Sequence, residues 1–337
     1  MFMRPASATM RMPVLLLSGF LGSGKTTLVN RLLADPALAN TAVAVNEFGD
    51  VPLDAQLIDH GADQTAVMAN GCLCCNLAGD MEDAVMRVFS RRRSGELPDF
   101  KRLIIEPSGL ADPAPIAQAI MRNPVLSRAL RLEAIVTAVD ALFAARQIAE
   151  QPEAIKQIAL ADRLVITKSD LAETTALRAA LRRLNPLAEI VEAVQGDIPA
   201  LSLVPASFID PEAESAPFKT RMIADAGAAH VESTTAISLS SDEPLAWRAL
   251  EAWLRRIRLT HADSLLRIKG ILHLRESAMP VAIHGVHHVL HTPVQLAAWP
   301  DAERRSRIVL ITRGLPAGVI EADWAASLPG FTHTLAA

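Results

Sequence analysis

Seven short apolar runs punctuate the first two hundred positions: PVLLLSG (13–19), TAVAVN (41–46), TAVMAN (65–70), RLIIEPSG (102–109), EAIVTAVD (133–140), RLVITKSD (163–170) and EIVEAV (189–194). Most are apolar at successive positions and do not alternate, as strands buried on both faces do not. The intervening stretches KTTLVNRLLADP, MEDAVMRVFSRR, PAPIAQAIMR and ETTALRAALRRLNP carry apolar residues at helical spacing, with polar faces and breakers near their ends. Strands and helices in alternation predict an α/β fold with a mostly parallel sheet.

The pattern changes after residue 203. VPASFIDPEAESAPFKT (204–220) mixes prolines and acids without periodicity and reads as a linker, taken here to span 204–230. Beyond it, HVESTTAISLSSDEP (230–244) reads as a strand and turn and LAWRALEAWLRRIRL (245–259) as an amphipathic helix, with Trp247 and Trp253 as packing residues. LLRIKGILHL, PVAIHGVHHVLHT and SRIVLITRG read as strands. Strands with few helices predict a smaller C-terminal α+β domain. The expected organisation is a tail at 1–12, a first domain at 13–203, the linker, and a second domain at 231–337.

Composition removes several classes of function. A formal net charge of −4 offers nucleic acid no long-range attraction. The one basic run, Arg91 to Arg93, has no interleaved aromatics and reads as a solvated helix end. Apolar runs are broken well short of the roughly 18 residues a membrane span needs. Arg4 and Arg11 ahead of PVLLLSGFLG superficially resemble a signal peptide, but the run continues into a glycine loop with a lysine and not into a cleavage site. Neither nucleic acid nor membrane is an expected partner, and a cytoplasmic location is expected. All three cysteines fall within residues 72–75, an odd number that argues against a disulfide framework and leaves the thiols available for metal or redox chemistry.

The first predicted strand runs into Gly19-Phe20-Leu21-Gly22-Ser23-Gly24-Lys25-Thr26, which fits G-x-x-x-x-G-K-[ST] in its strand–loop–helix context. Gly19, Gly22, Ser23 and Gly24 would point backbone N–H groups into a phosphate-sized nest, and the helix N-terminus adds partial positive charge. Lys25 would reach the β- and γ-phosphates, the Thr26 hydroxyl would ligate Mg²⁺, and Thr27 follows in the same turn. This is a nucleoside triphosphate site, so the first domain is expected to be a P-loop NTPase domain.

Such a loop needs a partner at a neighbouring strand tip. Glu106 ends an apolar strand, and Gly109 three residues on offers a backbone N–H for the γ-phosphate. Glu106, one methylene longer than the usual Asp, suits a metal-bound or attacking water; capping of the next helix is its alternative role. Base choice falls to Thr167, Lys168 and Asp170, where GTPases commonly carry Asn-Lys-x-Asp. Asp170 can accept both the N1–H and the exocyclic amine of guanine, and the Lys168 stem can lie along the base. A hydroxyl at 167 donates one hydrogen bond and is not expected to bridge base and P-loop as an amide does, so the guanine preference should be weakened.

Cys72, Cys74 and Cys75 form Cys-x-Cys-Cys directly after a predicted strand. Clustered thiolates suit Zn²⁺, with Co²⁺ or Cu⁺ as further candidates, and three ligands leave a fourth position open, which favours transfer over permanent structure. Burial as small hydrophobes and a redox switch are the alternatives.

Taken in order, Gly19 to Thr26, NEFGD (46–50), GCLCC (71–75), EPSGLADP (106–113), TKSD (167–170), RIKG (267–270) and HGVHHV (284–289) resemble the CobW-type P-loop GTPases, relatives of the urease and hydrogenase nickel-insertion GTPases. The resemblance covers most of the chain. It implies a GTP-hydrolysing metallochaperone in which Mg-GTP organises a thiolate site and hydrolysis releases Zn²⁺ or Co²⁺ to a client metalloprotein. By that pattern Cys72, Cys74 and Cys75 are the metal motif, Lys25 and Thr26 contact phosphate and Mg²⁺, Glu106 and Gly109 sense the γ-phosphate, and Glu47 is a candidate extra neighbour of the metal or of Mg²⁺. The sequence leaves open whether the chain forms a homo-oligomer. A long histidine tract found in many relatives is missing, for the linker holds only His230. His284, His287, His288 and His291 form a compact group instead. Their surroundings favour a strand that splits them between faces, with hydrogen-bonded structure as the ordinary role and metal binding as the alternative. A redox-regulated GTPase switch without metal transfer and a P-loop small-molecule kinase are the competing functions.

Overall fold

The computed structural model describes residues 11–45, 66–69, 86, 88–204, 229–231 and 234–328. The chain divides into two compact units, the first drawn from residues 7–218 and the second centred on 219–337.

The first unit is built on a seven-stranded sheet in the order β3-β2-β4-β1-β5-β6-β7. Its strands are β1 (Met12–Gly19), β2 (Thr41–Val45), β3 (Ala66–Ala69), β4 (Arg102–Glu106), β5 (Leu130–Asp140), β6 (Arg163–Thr167) and β7 (Glu189–Ala193). Every neighbouring pair is parallel. All residues of β1, β4 and β6 are buried, which the unbroken apolar runs require once helices cover both faces. Each fully buried leucine of β1, from Leu15 to Leu17, contributes about 2 kcal/mol through burial. On one face Leu15 and Leu17 share a core with Leu28 and Leu32 of helix α1 (Lys25–Ala34).

Further helices are α2 (Pro113–Arg122), α3 (Ala144–Glu150), α4 (Pro152–Leu160) and α5 (Thr175–Leu184). Two strands stop three residues short of their expected ends. β4 ends at Glu106, because Pro107 has no N–H to give the ladder, and β6 ends at Thr167, because Lys168 takes a left-handed φ of 57°. The helices α3 and α4 escape a reading by periodicity, since seven and nine residues span only about two turns each.

The second unit carries an antiparallel sheet in the order β12-β11-β10-β14-β9-β8, with β13 beside β11. The strands are β8 (Ala229–Val231), β9 (Thr234–Ser241), β10 (Leu265–Leu272), β11 (Val281–Val286), β12 (Val289–Leu290), β13 (Val294–Gln295) and β14 (Ser306–Arg313). Helices α6 (Trp247–Thr260) and α7 (Ala317–Ser327) share one core with it. Trp253 and Trp324 meet there edge to face, with ring centroids 4.7 Å apart. Trp247, one turn and a half earlier, is only partly buried against that core. The run HGVHHVLH is a hairpin and not one strand: β11 and β12 pair across a turn at His287 and His288, with His287 at φ 50°. His284 and His291 lie with ring centroids 6.4 Å apart.

Among the described residues no helix is long and apolar enough to cross a membrane. Arg91 and Arg92 pair with Glu96 and Asp99 at the exposed end of a helix.

Candidate nucleotide site

Parallel register brings the C-terminal ends of the central strands to one edge: Gly19 lies opposite Ala138, and Asp140 opposite Thr167. Ligands of open α/β sheets bind at this edge, where the chain leaves the sheet on both sides of a central strand.

The loop from Gly19 to Gly24 closes on itself through a hydrogen bond from Ser23 N–H to the Phe20 carbonyl, 3.1 Å. Gly24, at φ 85° and ψ 21°, precedes α1 in a conformation that a side chain would disfavour by about 1–2 kcal/mol. No side chain caps α1, so its leading N–H groups must be satisfied from outside the helix. Lys25 is buried and folds back over the loop, its ammonium donating to the carbonyls of Gly19 at 3.0 Å and Phe20 at 3.4 Å.

The next residue reaches the neighbouring strand. The Thr26 hydroxyl donates to Glu106 Oε1 at 3.2 Å, and Glu106 is 3% exposed at the tip of β4. Two hard oxygen donors at this spacing form a set that fits Mg²⁺ better than a soft metal. Helix α2 is capped by Asp112, whose carboxylate accepts from Ala114 N–H at 2.9 Å, and not by Glu106.

Gly109 presses on the P-loop. A Cβ built there would lie 2.7 Å from Leu21 N and 2.9 Å from Leu21 Cα, so only glycine permits the approach.

Beyond β6, the Thr167 hydroxyl donates to the Ser23 carbonyl at 2.8 Å. The hydroxyl thus ties the strand to the P-loop, which Gly24 brings close, with Thr167 Cβ 3.7 Å from where a Gly24 Cβ would be; its one proton given to the loop leaves none to donate to a base. Lys168 donates to Gly22 O at 3.0 Å and to Asp140 Oδ2 at 2.6 Å. Asp140 is 1% exposed and also accepts from Leu142 N–H at 2.9 Å. Asp170 is exposed at the same edge. Thr27 faces outward on α1, against Gly196 in the turn after β7.

Two contributors lie outside the motifs. Asp140 has the signal of Glu106, an acid ending an apolar strand, but only sheet order puts it beside Lys168. Gln157 of α4 is 1% exposed and donates to the carbonyls of Gly109 and Ala111; a buried amide on an amphipathic helix has no mark in sequence.

Glu47 and Cys72, Cys74 and Cys75 lie outside the described residues. The strands that lead to them do not. Val45 pairs with Glu106 on one side and with Ala69 on the other, so the ends of β2 and β3 share the edge that carries Glu106. Strand spacing puts Ala69 about 10 Å from Glu106. Among the described residues no group of three or more His, Cys, Asp or Glu side chains is arranged to hold a metal ion, the histidines of the hairpin included.

The family model of the CobW/HypB/UreG nucleotide-binding domain matches residues 13–192, and that of the cobalamin synthesis protein cobW C-terminal domain matches residues 234–328. The chain belongs to the CobW family. Within the family's reach, this CobW-type chain is 33% identical to the zinc chaperone YjiA of Escherichia coli over 93% of its own length and 97% of that protein. It is 32% identical to the zinc-regulated GTPase metalloprotein activator 1 of Schizosaccharomyces pombe over 56% of its length and 47% of that protein. The crystal structure of Zn(II)-bound YjiA GTPase from E. coli superposes with a TM-score of 0.69, covering 94% of this chain and 99% of the other at 27% identity. The same two-part architecture, a parallel nucleotide-binding sheet and a separate antiparallel unit, is shared by the pair.

Proposed function

We propose that this CobW-family protein binds and hydrolyses GTP and acts as a cytoplasmic metallochaperone, holding Zn²⁺, with Co²⁺ as the alternative cargo, at Cys72, Cys74 and Cys75 for delivery to a client metalloprotein. The observation that carries the reading is the shared edge: β3, three residues before Cys72, ends two strands from Glu106 in one hydrogen-bonded row, and Glu106 touches Thr26 of the P-loop. A change at the γ-phosphate can thereby reach the thiolate segment through two strand ends. The length-wide similarity to a zinc chaperone supports the cargo.

In hydrolysis, water attacks the γ-phosphorus and the bridging P–O bond breaks, leaving GDP and phosphate. Lys25 is placed to exchange its loop carbonyls for β- and γ-phosphate oxygens. Thr26 would hold Mg²⁺, which supplies charge neutralisation at the phosphates, with Glu106 holding a water of its shell. Glu106 would orient water, and Gly109 N–H would meet the γ-phosphate. Asp170 and the Lys168 stem would receive guanine. Glu47, in the segment after β2, is assigned as a neighbour of the metal.

Coupling between the two sites is reciprocal: if GTP tightens metal binding, metal tightens GTP binding by the same factor. The test is Zn²⁺ and Co²⁺ affinity by competition with a chromophoric chelator, with Mg-GTP, Mg-GDP or no nucleotide, and with Cys74→Ser as control. Tightening by GTP of about tenfold, a coupling of ~1.4 kcal/mol, lost in the variant, supports the proposal. Weak affinity indifferent to nucleotide would overturn it in favour of a redox-regulated GTPase switch.

A further inference from the structure

The segment after Glu106 is held from two sides. On one, Gly109 lies against Leu21 of the P-loop, with no room for a Cβ. On the other, Gln157 Nε2 donates to Gly109 O at 3.1 Å and Ala111 O at 3.0 Å. Lys156, the residue before it, reaches Asp112 at 3.3 Å. Helix α4 therefore grips residues 109–112 through two adjacent side chains, of which Gln157 is 1% exposed.

The amide can face only one way. Turning it over would set its oxygen against two carbonyl oxygens, neither of which can donate. In the observed orientation Gln157 Oε1 is buried without a hydrogen-bond partner among the described residues. A buried acceptor left unmet costs about 1–3 kcal/mol, and such groups call for an explanation beyond packing. A leucine would fill the space without that cost. What a leucine cannot do is fix the direction of two backbone carbonyls in the turn after Ser108. The Gly109 N–H shares its peptide plane with the Ser108 carbonyl, which accepts from Ala111 N–H at 2.9 Å; by holding the Gly109 and Ala111 carbonyls, Gln157 steadies the turn that sets that plane and with it the direction of the N–H. The helix itself is anchored, since the Gln157 carbonyl accepts from Thr137 Oγ1 of β5 at 3.0 Å.

We infer that Gln157 is a positioning residue that aims the Gly109 N–H at the γ-phosphate and so sets the preference for GTP over GDP. The inference rests on the GTPase reading above. Gln157 touches no part of the P-loop in these contacts, so its effect falls on the nucleotide that carries a third phosphate. α4 runs directly into β6 and the Thr167–Lys168 end of the site, so the same helix joins γ-phosphate sensing to the base side.

The experiment measures Mg²⁺-dependent affinity for a non-hydrolysable GTP analogue and for GDP in the full-length protein and in Gln157→Met, which keeps length and loses both donors. The expected result is a loss of about tenfold for the analogue, with GDP affinity changed less than about twofold, in line with the loss of hydrogen bonds at one phosphate. A parallel fall for both nucleotides, or no fall for either, would overturn the inference and leave the GTPase reading standing. Wild-type protein that binds neither nucleotide would overturn both. Because the variant removes a buried side chain and can fail to fold, hydrogen exchange on the wild type gives a second test. Residues 107–111 and 152–160 should gain protection together when the GTP analogue replaces GDP; protection of 107–111 without the helix would refute the clasp.

Discussion

The hydroxyl of Thr167 at the end of β6 donates to the carbonyl of Ser23 at 2.8 Å, joining residues 144 positions apart across the sheet edge. Its single proton is committed to the P-loop, which leaves only lone pairs for a base. Thr167→Val should cost about 1 kcal/mol of stability, the ordinary net worth of a hydrogen bond, and lower GTP affinity by loosening the loop. Thr167→Asn, with two donors, can serve loop and base together and should raise discrimination of GTP over ATP. Urea denaturation and nucleotide competition check both. An asparagine variant with unchanged base discrimination would show that position 167 acts on the loop alone.

Substitution of Glu106 should separate binding from chemistry. The residue is buried beside Thr26 and distant from the Lys168 end of the site, so Glu106→Gln keeps shape and a hydrogen-bond acceptor while removing the charge. GTP affinity should change by less than about threefold, and the rate of phosphate release should fall about 100-fold or more, the scale at which a positioned acid or base contributes. Single-turnover kinetics would distinguish this from slow product release.

Asp140 anchors Lys168 at the end of β6. Its carboxylate is 1% exposed, yet it neutralises a Lys168 ammonium about one-third exposed. Asp140→Asn retains the acceptor for Leu142 N–H and loses the charge pairing. We expect a destabilisation of about 1–2 kcal/mol, below the 3–5 kcal/mol of a fully buried broken pair because Lys168 can turn to water. Guanine-nucleotide affinity should fall with it, since Lys168 also holds Gly22 O. Asp140→Ala, which also orphans Leu142 N–H, should be the more severe of the two.

How much of this was readable beforehand depended on how local each signal was. The P-loop depends on eight consecutive residues, so its strand, loop and helix could be placed from sequence. Glu106 was legible because an acid ending an apolar run is conspicuous. Asp140 has the same pattern, but which strand lies beside which is a property of topology, and the β1–β5–β6 order is what gives it a role. Gln157 was illegible because nothing in the spacing of a nine-residue helix tells a buried amide from a solvated one. In the second unit the hairpin at His287 was hidden, because a non-glycine residue in a left-handed turn leaves no glycine to mark it. The helix Ala317–Ser327 was hidden too, since only Ala317, Ile320 and Trp324 are buried along it and its remaining residues are small or polar apart from the exposed Val319.

A last prediction concerns the second unit. All four tryptophans of the chain, Trp247, Trp253, Trp299 and Trp324, lie in it, so intrinsic tryptophan fluorescence reports on that unit alone. Trp253 and Trp324 are both almost fully buried and meet edge to face between α6 and α7, a contact worth about 0.5–1.5 kcal/mol beyond the area it buries. Trp253→Ala leaves a cavity against Leu250, Leu254 and Ile320 and should cost about 3–5 kcal/mol. Trp253→Phe keeps an aromatic edge and should cost less than half as much. Replacing the partner, Trp324→Phe, in either background closes a double-mutant cycle that isolates the ring–ring term. A cycle that sums to zero would mean the two rings contribute by filling volume alone, and that the T-shaped geometry adds nothing to the stability of the sheet they cover.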